Sequence, residues 1–323
     1  VDFTIVTPSF RQLDWLELCI ASVADQEGVR VEHIIQDAGS PGLEEAMGKM
    51  AKALLEKYGG EMVGKLATSE LLHLRFASGS TLRVFKESDA GMYDAVNRGL
   101  SKGSAPLCAY LNCDEQYLSG ALAKTLKMFN DEPDIEILFG GVLIVGPDGK
   151  LISARRPTRL FLPHITTCHL PNFTCAMFFR RRLLQSQNAV FDAKWRECAD
   201  ALWVIERLKA RTKIKRTMDF TTAFTDTGAN MSLSPNGIRE AWEIRDAAPR
   251  LWRWGKSFWM LLHWMGKLLD GSYWPGSARY ALYKKQSPGE RFEFQEQSAN
   301  PFWVDRWFVR ERIRFRNRDV ATR

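Results

Sequence analysis

The chain has 323 residues, a formal net charge of +7 and 45% hydrophobic residues. That length buries an ample core in one large domain or two smaller ones, and the composition excludes a disordered, fibrous or collagen-like chain. The positive balance fits an anionic partner: nucleic acid, acidic lipid headgroups and nucleotide phosphates all qualify, and net charge does not choose among them.

No low-complexity tract or internal repeat is present, so a repeat array is not expected. The six cysteines, Cys19, Cys108, Cys113, Cys168, Cys175 and Cys198, show no paired short spacing. Buried, reduced thiols in a cytoplasmic protein are the expectation. A zinc site is not, because no Cys and His residues cluster along the sequence. Sequons stand at Asn172 and Asn230 without a signal peptide, and no targeting segment is expected before the first strand.

Residues 3–7 form a short apolar run stopped by Pro8, which reads as a buried strand. Residues 11–24 read as a helix with Leu13, Leu16, Ile20 and Val23 on one face. A second strand over 29–36 runs into a loop of turn residues, 37–42, followed by a helix over 43–58 that Gly59 and Gly60 end. Residues 61–80 are ambiguous. Then come a strand at 81–85, a helix at 93–100, a strand at 107–111, a helix at 120–129 and a strand at 135–145 that turns at 146–149. This β/α alternation predicts an α/β fold with a mostly parallel sheet and helices on both faces. Residues 151–234 are mixed, with a helix over 197–209. A turn cluster, Ser234-Pro235-Asn236-Gly237, marks a boundary. Beyond it, 238–269 reads as helical and tryptophan-rich, and 306–323 is strongly basic.

The chemistry concentrates in residues 87–117. The strand at 107–111 delivers Asn112, Cys113, Asp114 and Glu115 at its carboxyl end, and Asp37 follows the second strand. In a parallel sheet such ends lie on one edge and converge on one ligand. A nucleotide needs a hydrogen-bond acceptor for its base and a counter-charge for its phosphates. There is no P-loop lysine motif and no G-x-G-x-x-G, so a divalent cation, Mg²⁺ or Mn²⁺, is the remaining route, with Asn112, Asp114 and Glu115 as oxygen ligands. The same four residues also suit a plain cap on the next helix, and composition alone leaves both readings open.

Four motifs occur in order: Thr7-Pro8-Ser9-Phe10; Gln36-Asp37-Ala38-Gly39-Ser40; Glu87-Ser88-Asp89-Ala90-Gly91-Met92-Tyr93-Asp94-Ala95-Val96-Asn97-Arg98-Gly99; and Leu111-Asn112-Cys113-Asp114-Glu115. Together they resemble the ordered motifs of family-2 inverting glycosyltransferases, which have the GT-A fold. Residues 174–183 resemble that family's F-x-R-R segment, 191–208 the stretch that carries its catalytic base, and 224–233 the loop that follows. The resemblance implies a nucleotide-diphospho-sugar donor, a saccharide or lipid-linked acceptor and a divalent metal. It implies Asp200 as the base and Asp114 and Glu115 at the metal. Thr7, Pro8, Ser9, Asp37, Ser40, Asp89, Asp94, Asn97 and Asn112 are implied at the nucleotide-sugar, with Asp37 on the nucleotide base. Asn97 and Arg98 alternatively pin their helix.

The sequence departs from the family pattern at Asn112 (usually Asp), Glu115 (usually Asp), Ala38 (usually Gly) and Thr174-Cys175 (often His-Gln), which leaves His164 or His169 as an alternative histidine ligand. The implied layout is a GT-A domain over 1–235, with a nucleotide-sugar half at 1–120 and an acceptor half at 121–235. A tryptophan-rich, basic helical extension follows over 236–323. Bacterial surface polysaccharide or lipopolysaccharide assembly is the implied setting.

Residues 251–269 place Leu251, Trp254, Phe258, Leu262, Met265 and Leu269 at helical spacing, interrupted by Arg253, Lys256 and Lys267. The segment is too short and too charged to span a bilayer. It either packs on the catalytic domain or lies in a membrane interface, which would place a cytoplasmic protein at the inner face of the membrane. Arg250-Leu251-Trp252-Arg253-Trp254 half-resembles the Q-x-x-R-W of processive synthases, but Arg250 replaces the glutamine. The basic stretch 310–318 reads as a solvated face, and no nucleic-acid motif accompanies it. Among rival readings, a nucleotidyltransferase would need a glycine-rich, lysine-bearing loop that 7–14 lacks. A non-catalytic sugar-nucleotide-binding relative or scaffold is the alternative that Asn112 prompts.

Overall fold

The computed structural model describes residues 1–64, 68–184, 190–228 and 234–303. Strand β1 (Phe3–Ser9) is buried along its whole length and β2 (Val31–Asp37) along nearly all of it, as strands covered on both faces must be. Helix α1 (Leu13–Ala24) joins them. Helix α2 (Leu43–Tyr58) starts after Gly42, which holds the left-handed conformation at φ 79°. It carries Glu44 and Glu45 in its first turn, where the helix dipole favours them, and stops at Gly59. The stretch that was ambiguous in sequence holds β3 (Gly60–Met62) and β4 (Glu70–Phe76), ahead of β5 (Thr81–Lys86).

Helix α3 (Met92–Lys102) buries Tyr93, Val96, Asn97 and Leu100, a single helical face. Gly99 is on it too. A Cβ there would meet Val6 Cγ1 at 2.4 Å, so the helix seats this closely on β1 only with glycine. The chain continues through β6 (Leu107–Tyr110), β7 (Glu115–Tyr117), α4 (Ala121–Asp131), β8 (Ile137–Val145) and β9 (Leu151–Arg155). Then follow α5 (Leu162–Thr167), β10 (Met177–Arg180), α6 (Ala199–Lys209) and β11 (Ile214–Thr225).

These strands form one sheet in the order β3-β4-β5-β2-β1-β6-β10-β8-β11-β7, with β9 beside β8. Strands β5, β2, β1 and β6 are parallel neighbours, and β8 pairs β11 in parallel. Strand β10 runs antiparallel between β6 and β8. The sheet is therefore mixed and mostly parallel, as the β/α alternation predicts. Alternate residues feed two apolar layers. Phe3 and Ile5 pack with Val23 of α1 and Phe129 of α4, while Val6 packs with Val96 of α3 and Trp203 of α6. The register pairs Ser9 with Asp37 and Asp37 with Lys86, so three carboxyl ends finish level.

The C-terminal stretch differs from a single helix. Pro249 and Gly255 divide it into α7 (Pro235–Asp246), α8 (Arg250–Trp254) and α9 (Lys256–Leu269). Ser234 caps α7 by accepting from the Gly237 N–H, with Pro235 in the first turn. A hairpin, β12 (Ala278–Lys284) with β13 (Ser287–Glu296), follows that the sequence reading did not anticipate. It is fastened to the first half of the chain. Gln116 exchanges two hydrogen bonds with the Tyr283 backbone, and Arg291 pairs with Asp25 at 2.5 Å.

Helix α9 turns its apolar side outward. Leu261, Trp264, Met265, Leu268 and Leu269 are exposed, and the residues it buries are His263 and Lys267. No helix among the described residues is long and apolar enough to cross a membrane. All six cysteines are free thiols and four are buried. The basic tail, and Asn230 with its T-G-x-N-x-S segment from 229 on, lie outside the described residues.

Candidate active site

A cavity of about 1040 Å³ opens where β1, β5 and β6 end and the segment before β10 begins. Pro8, Ser9, Asp89, Asn112, Asp114, Glu115 and Asp200 all line it. Residues from 8 to 200 thus meet at one sheet edge, where an open α/β sheet places its ligand.

The acidic turn after β6 has a defined internal geometry. Glu115 is buried, and its carboxyl accepts from the Asn112 backbone N–H at 2.7 Å and from Asn112 Nδ2 at 3.3 Å. Burial, then the neighbouring Asp114 charge, pushes the Glu115 carboxyl up to about 8. Burial also raises Asp114. Asn112 Oδ1 is buried and has no hydrogen-bond partner among the described residues. Glu115 is turned back onto Asn112, Asp114 stands on the cavity wall, and Asn112 Oδ1 is buried in the same turn. That orphaned oxygen beside a carboxylate raised by burial fits a hard cation. The bonds of Glu115 close the turn between β6 and β7, and none of the four residues caps α4, whose N-cap is Gly120.

Asp200 stands in the first turn of α6. Its Oδ2 accepts from Thr174 Oγ1 at 3.1 Å and its Oδ1 from the Ala201 N–H at 2.7 Å. Tyr110 donates its hydroxyl to Thr174 Oγ1 at 2.7 Å. Burial raises the Asp200 carboxyl, while hydrogen bonds from Tyr93, Ala201, Thr174 and Tyr110 pull it the other way. The result is an oriented carboxylate on the cavity wall, raised above the ordinary aspartate value.

Five of the expected residues do not reach the cavity. Asp37 is fully buried. Its Oδ1 accepts from the Gly39 and Ser40 N–H groups at 2.8 and 2.6 Å, and its Oδ2 from Ser40 Oγ at 2.8 Å. Ser40 is occupied by that bond and by the Arg11 N–H at 2.7 Å. Thr7 Oγ1 lies 2.9 Å from His33 Nε2, in the core. Asp94 accepts from the Ala90 N–H at 2.9 Å and from Arg98 Nε at 3.0 Å, shaping the loop ahead of α3. Asn97 donates to Phe191 O at 2.7 Å and accepts from the Val190 and Phe191 N–H groups at 2.9 and 3.0 Å. It is a pin between α3 and the approach to Asp200. Asp89, raised by burial, does face the cavity.

Sequence reasoning missed Thr174, Tyr110 and Glu240. Thr174 stands where the family pattern often has histidine, and that substitution was the available signal. Glu240 of α7 is buried and accepts from the N–H groups of Arg196, Glu197 and Cys198, each at 2.9 Å, just ahead of Asp200. No local pattern announces that contact. The expectation that histidines do not cluster is also corrected. His164, His169 and His263 bring one ligand atom each within 4.8 Å of one another, and neither His164 nor His169 joins Asp114 in such a group.

No protein-family model matches the chain. Its sequence is 23% identical over 203 residues to PGL/p-HBAD biosynthesis glycosyltransferases of Mycobacterium tuberculosis (strain ATCC 25177 / H37Ra) and Mycobacterium bovis (strain BCG / Pasteur 1173P2). The match covers 61% of this chain and 66% of each relative, just under two thirds of their length. In structure it is similar to S. aureus TarS 1-349 in complex with UDP-GlcNAc. The TM-score is 0.52 at 14% identity, over 76% of this chain and 64% of that one. The complex of the same protein with UDP gives a TM-score of 0.50, also at 14% identity and with the same coverage of both chains. The likeness is one of fold, and it bears out the GT-A architecture that the motifs implied.

Proposed function

We propose that the chain is an inverting glycosyltransferase that moves a sugar from a nucleotide-diphosphate donor to an acceptor hydroxyl. One observation carries this reading: Asp114, at the carboxyl end of β6, and the oriented Asp200, at the start of α6, line a single cavity. Transfer needs both functions. The acceptor oxygen forms its bond to the anomeric carbon as the carbon–oxygen bond to the diphosphate breaks. The electron pair leaves on the diphosphate, and the acceptor proton goes to Asp200. One base and one displacement invert the anomeric centre.

A Mg²⁺ or Mn²⁺ ion held by Asp114 and Asn112 Oδ1 would neutralise charge on the departing diphosphate. Asp89, Pro8 and Ser9 border the space for the donor. The buried turn of Asp37 and Ser40 supports that wall from behind. For Asp37 to meet a nucleotide base, the turn that buries it must open.

The relatives' naming for PGL/p-HBAD biosynthesis fits a saccharide or lipid-linked acceptor, with bacterial surface polysaccharide or lipopolysaccharide assembly as the setting. The outward apolar side of α9 supports peripheral attachment at the cytoplasmic face of a membrane. A helix that buries His263 and Lys267 while exposing tryptophan and leucine is built to meet a second apolar phase.

A thermal-shift screen of nucleotide-sugars with and without Mn²⁺, followed by hydrolysis and transfer measurements, tests the reading. Donor-dependent stabilisation that a chelator abolishes, together with turnover, is expected. Donor binding without turnover would favour the non-catalytic relative. No binding of any nucleotide-sugar would overturn both.

A further inference from the structure

We propose that His164, His169 and His263 form a transition-metal site of the zinc class that ties the C-terminal helices to the catalytic domain. His164 belongs to α5, His169 to the loop after it and His263 to α9. Their ring centroids form a triangle of 4.9, 4.3 and 5.8 Å. That is close to the separation of imidazoles sharing a tetrahedral ion. His164 Nε2 and His263 Nδ1 are buried and have no hydrogen-bond partner among the described residues. Native interiors rarely leave two such atoms unsatisfied side by side. One metal ion satisfies both.

The chemistry of the donors agrees. His164 and His263 are buried and offer imidazole nitrogens, donors that suit a transition metal. Three nitrogens select Zn²⁺, Cu²⁺ or Ni²⁺ over the Mg²⁺ or Mn²⁺ that suits the oxygens of Asp114 and Asn112. The site is therefore separate from the donor metal and does not depend on sugar transfer. His169 lines the cavity, so an open fourth position on that side is within reach of a ligand.

Two features constrain the site. Nitrogens on a tetrahedral zinc, at about 2.0–2.1 Å from the ion, sit about 3.4 Å apart. The stacked rings of His164 and His263, only 14° from parallel, must turn about their Cβ–Cγ bonds to converge. The cations Lys267 and Arg155 act on His263. They disfavour a bare dication and favour one that carries an anion, such as hydroxide, in its fourth position.

The full chain, stripped by chelator and dialysed against Zn²⁺, is expected to retain one Zn²⁺ that the Asp114→Ala variant also retains. Substitution with Co²⁺ should give the visible absorption of a four-coordinate ion. His169→Asn, on the cavity wall, and His263→Gln should each weaken Zn²⁺ binding more than roughly tenfold while circular dichroism stays native. Failure of the full chain to retain Zn²⁺ would overturn the proposal. So would retention undiminished in the folded His169→Asn variant.

Discussion

Thr174 holds Asp200. Its hydroxyl donates to Asp200 Oδ2 at 3.1 Å while accepting from Tyr110 at 2.7 Å, so the carboxylate is aimed before any acceptor arrives. Asp200→Asn keeps the shape and removes the base. Turnover is expected to fall by about 10²–10⁴. Donor affinity, measured by calorimetry, should change less than about twofold. A variant that turns over near the wild-type rate would remove Asp200 from the mechanism.

The same contact predicts a pH effect. Burial raises the Asp200 carboxyl above the ordinary aspartate value, and the Thr174 bond opposes that rise by favouring the ionised form. The base works only when ionised, so activity is lost as pH falls through its raised pKa. Thr174→Val removes one stabilising donor and should move the acid limb of kcat/KM to higher pH. The stability sign is opposite. A carboxyl that binds its proton more tightly folded than unfolded weakens the fold as pH rises through that window. An acid limb that stays in place in Thr174→Val would show that the hydroxyl does not tune the base.

Glu240 supports the start of α6, where Asp200 stands. Its carboxylate accepts three backbone N–H groups at 196–198, two residues ahead of Asp200. Glu240→Ala strands those donors in a buried place and should cost about 3 kcal/mol or more in urea unfolding. The conservative Glu240→Gln retains one acceptor oxygen and should lose less. In that variant kcat is expected to fall while KM for the donor holds, because Pro8, Ser9 and Asp89, which border the donor space, lie on other elements than α7. A parallel rise in donor KM would mean that Glu240 holds the whole cavity rather than the start of α6.

The sheet and the meeting of Asp114 with Asp200 were legible because both rest on local signals: apolar runs with turn residues, and motifs in order. Long-range contacts left no local trace. Glu240 and the three histidines come together only once α5, α7 and α9 pack. The hairpin β12–β13 does carry a strand signal, Phe292 and Phe294 alternating with Arg291, Glu293 and Gln295, but it lies beyond the tryptophan-rich helical stretch and reads as part of that extension. Helix α9 shows a subtler limit. Its 3.6-residue period was readable, but a period does not say which face is inside. The apolar stripe reads as core by default, yet Trp254 and Leu269 are each 83% exposed.

That inversion gives the last prediction. Leu251, Trp254, Phe258, Leu261, Trp264 and Leu268 are all exposed, and Arg250, Arg253 and Lys256 border Trp254. Tryptophan beside basic residues matches an anionic headgroup layer over an acyl boundary. The chain is expected to float with vesicles containing phosphatidylglycerol, and less so with phosphatidylcholine alone or at high salt. Each basic residue near such a surface contributes about 1 kcal/mol, so Arg250→Gln with Arg253→Gln should weaken partitioning about 30-fold. Trp254→Glu with Leu268→Glu should abolish flotation and leave the unfolding midpoint unchanged, since both side chains already face solvent. A wild type that stays off anionic vesicles but dimerises through Trp254 in light scattering would assign the face to a second copy instead.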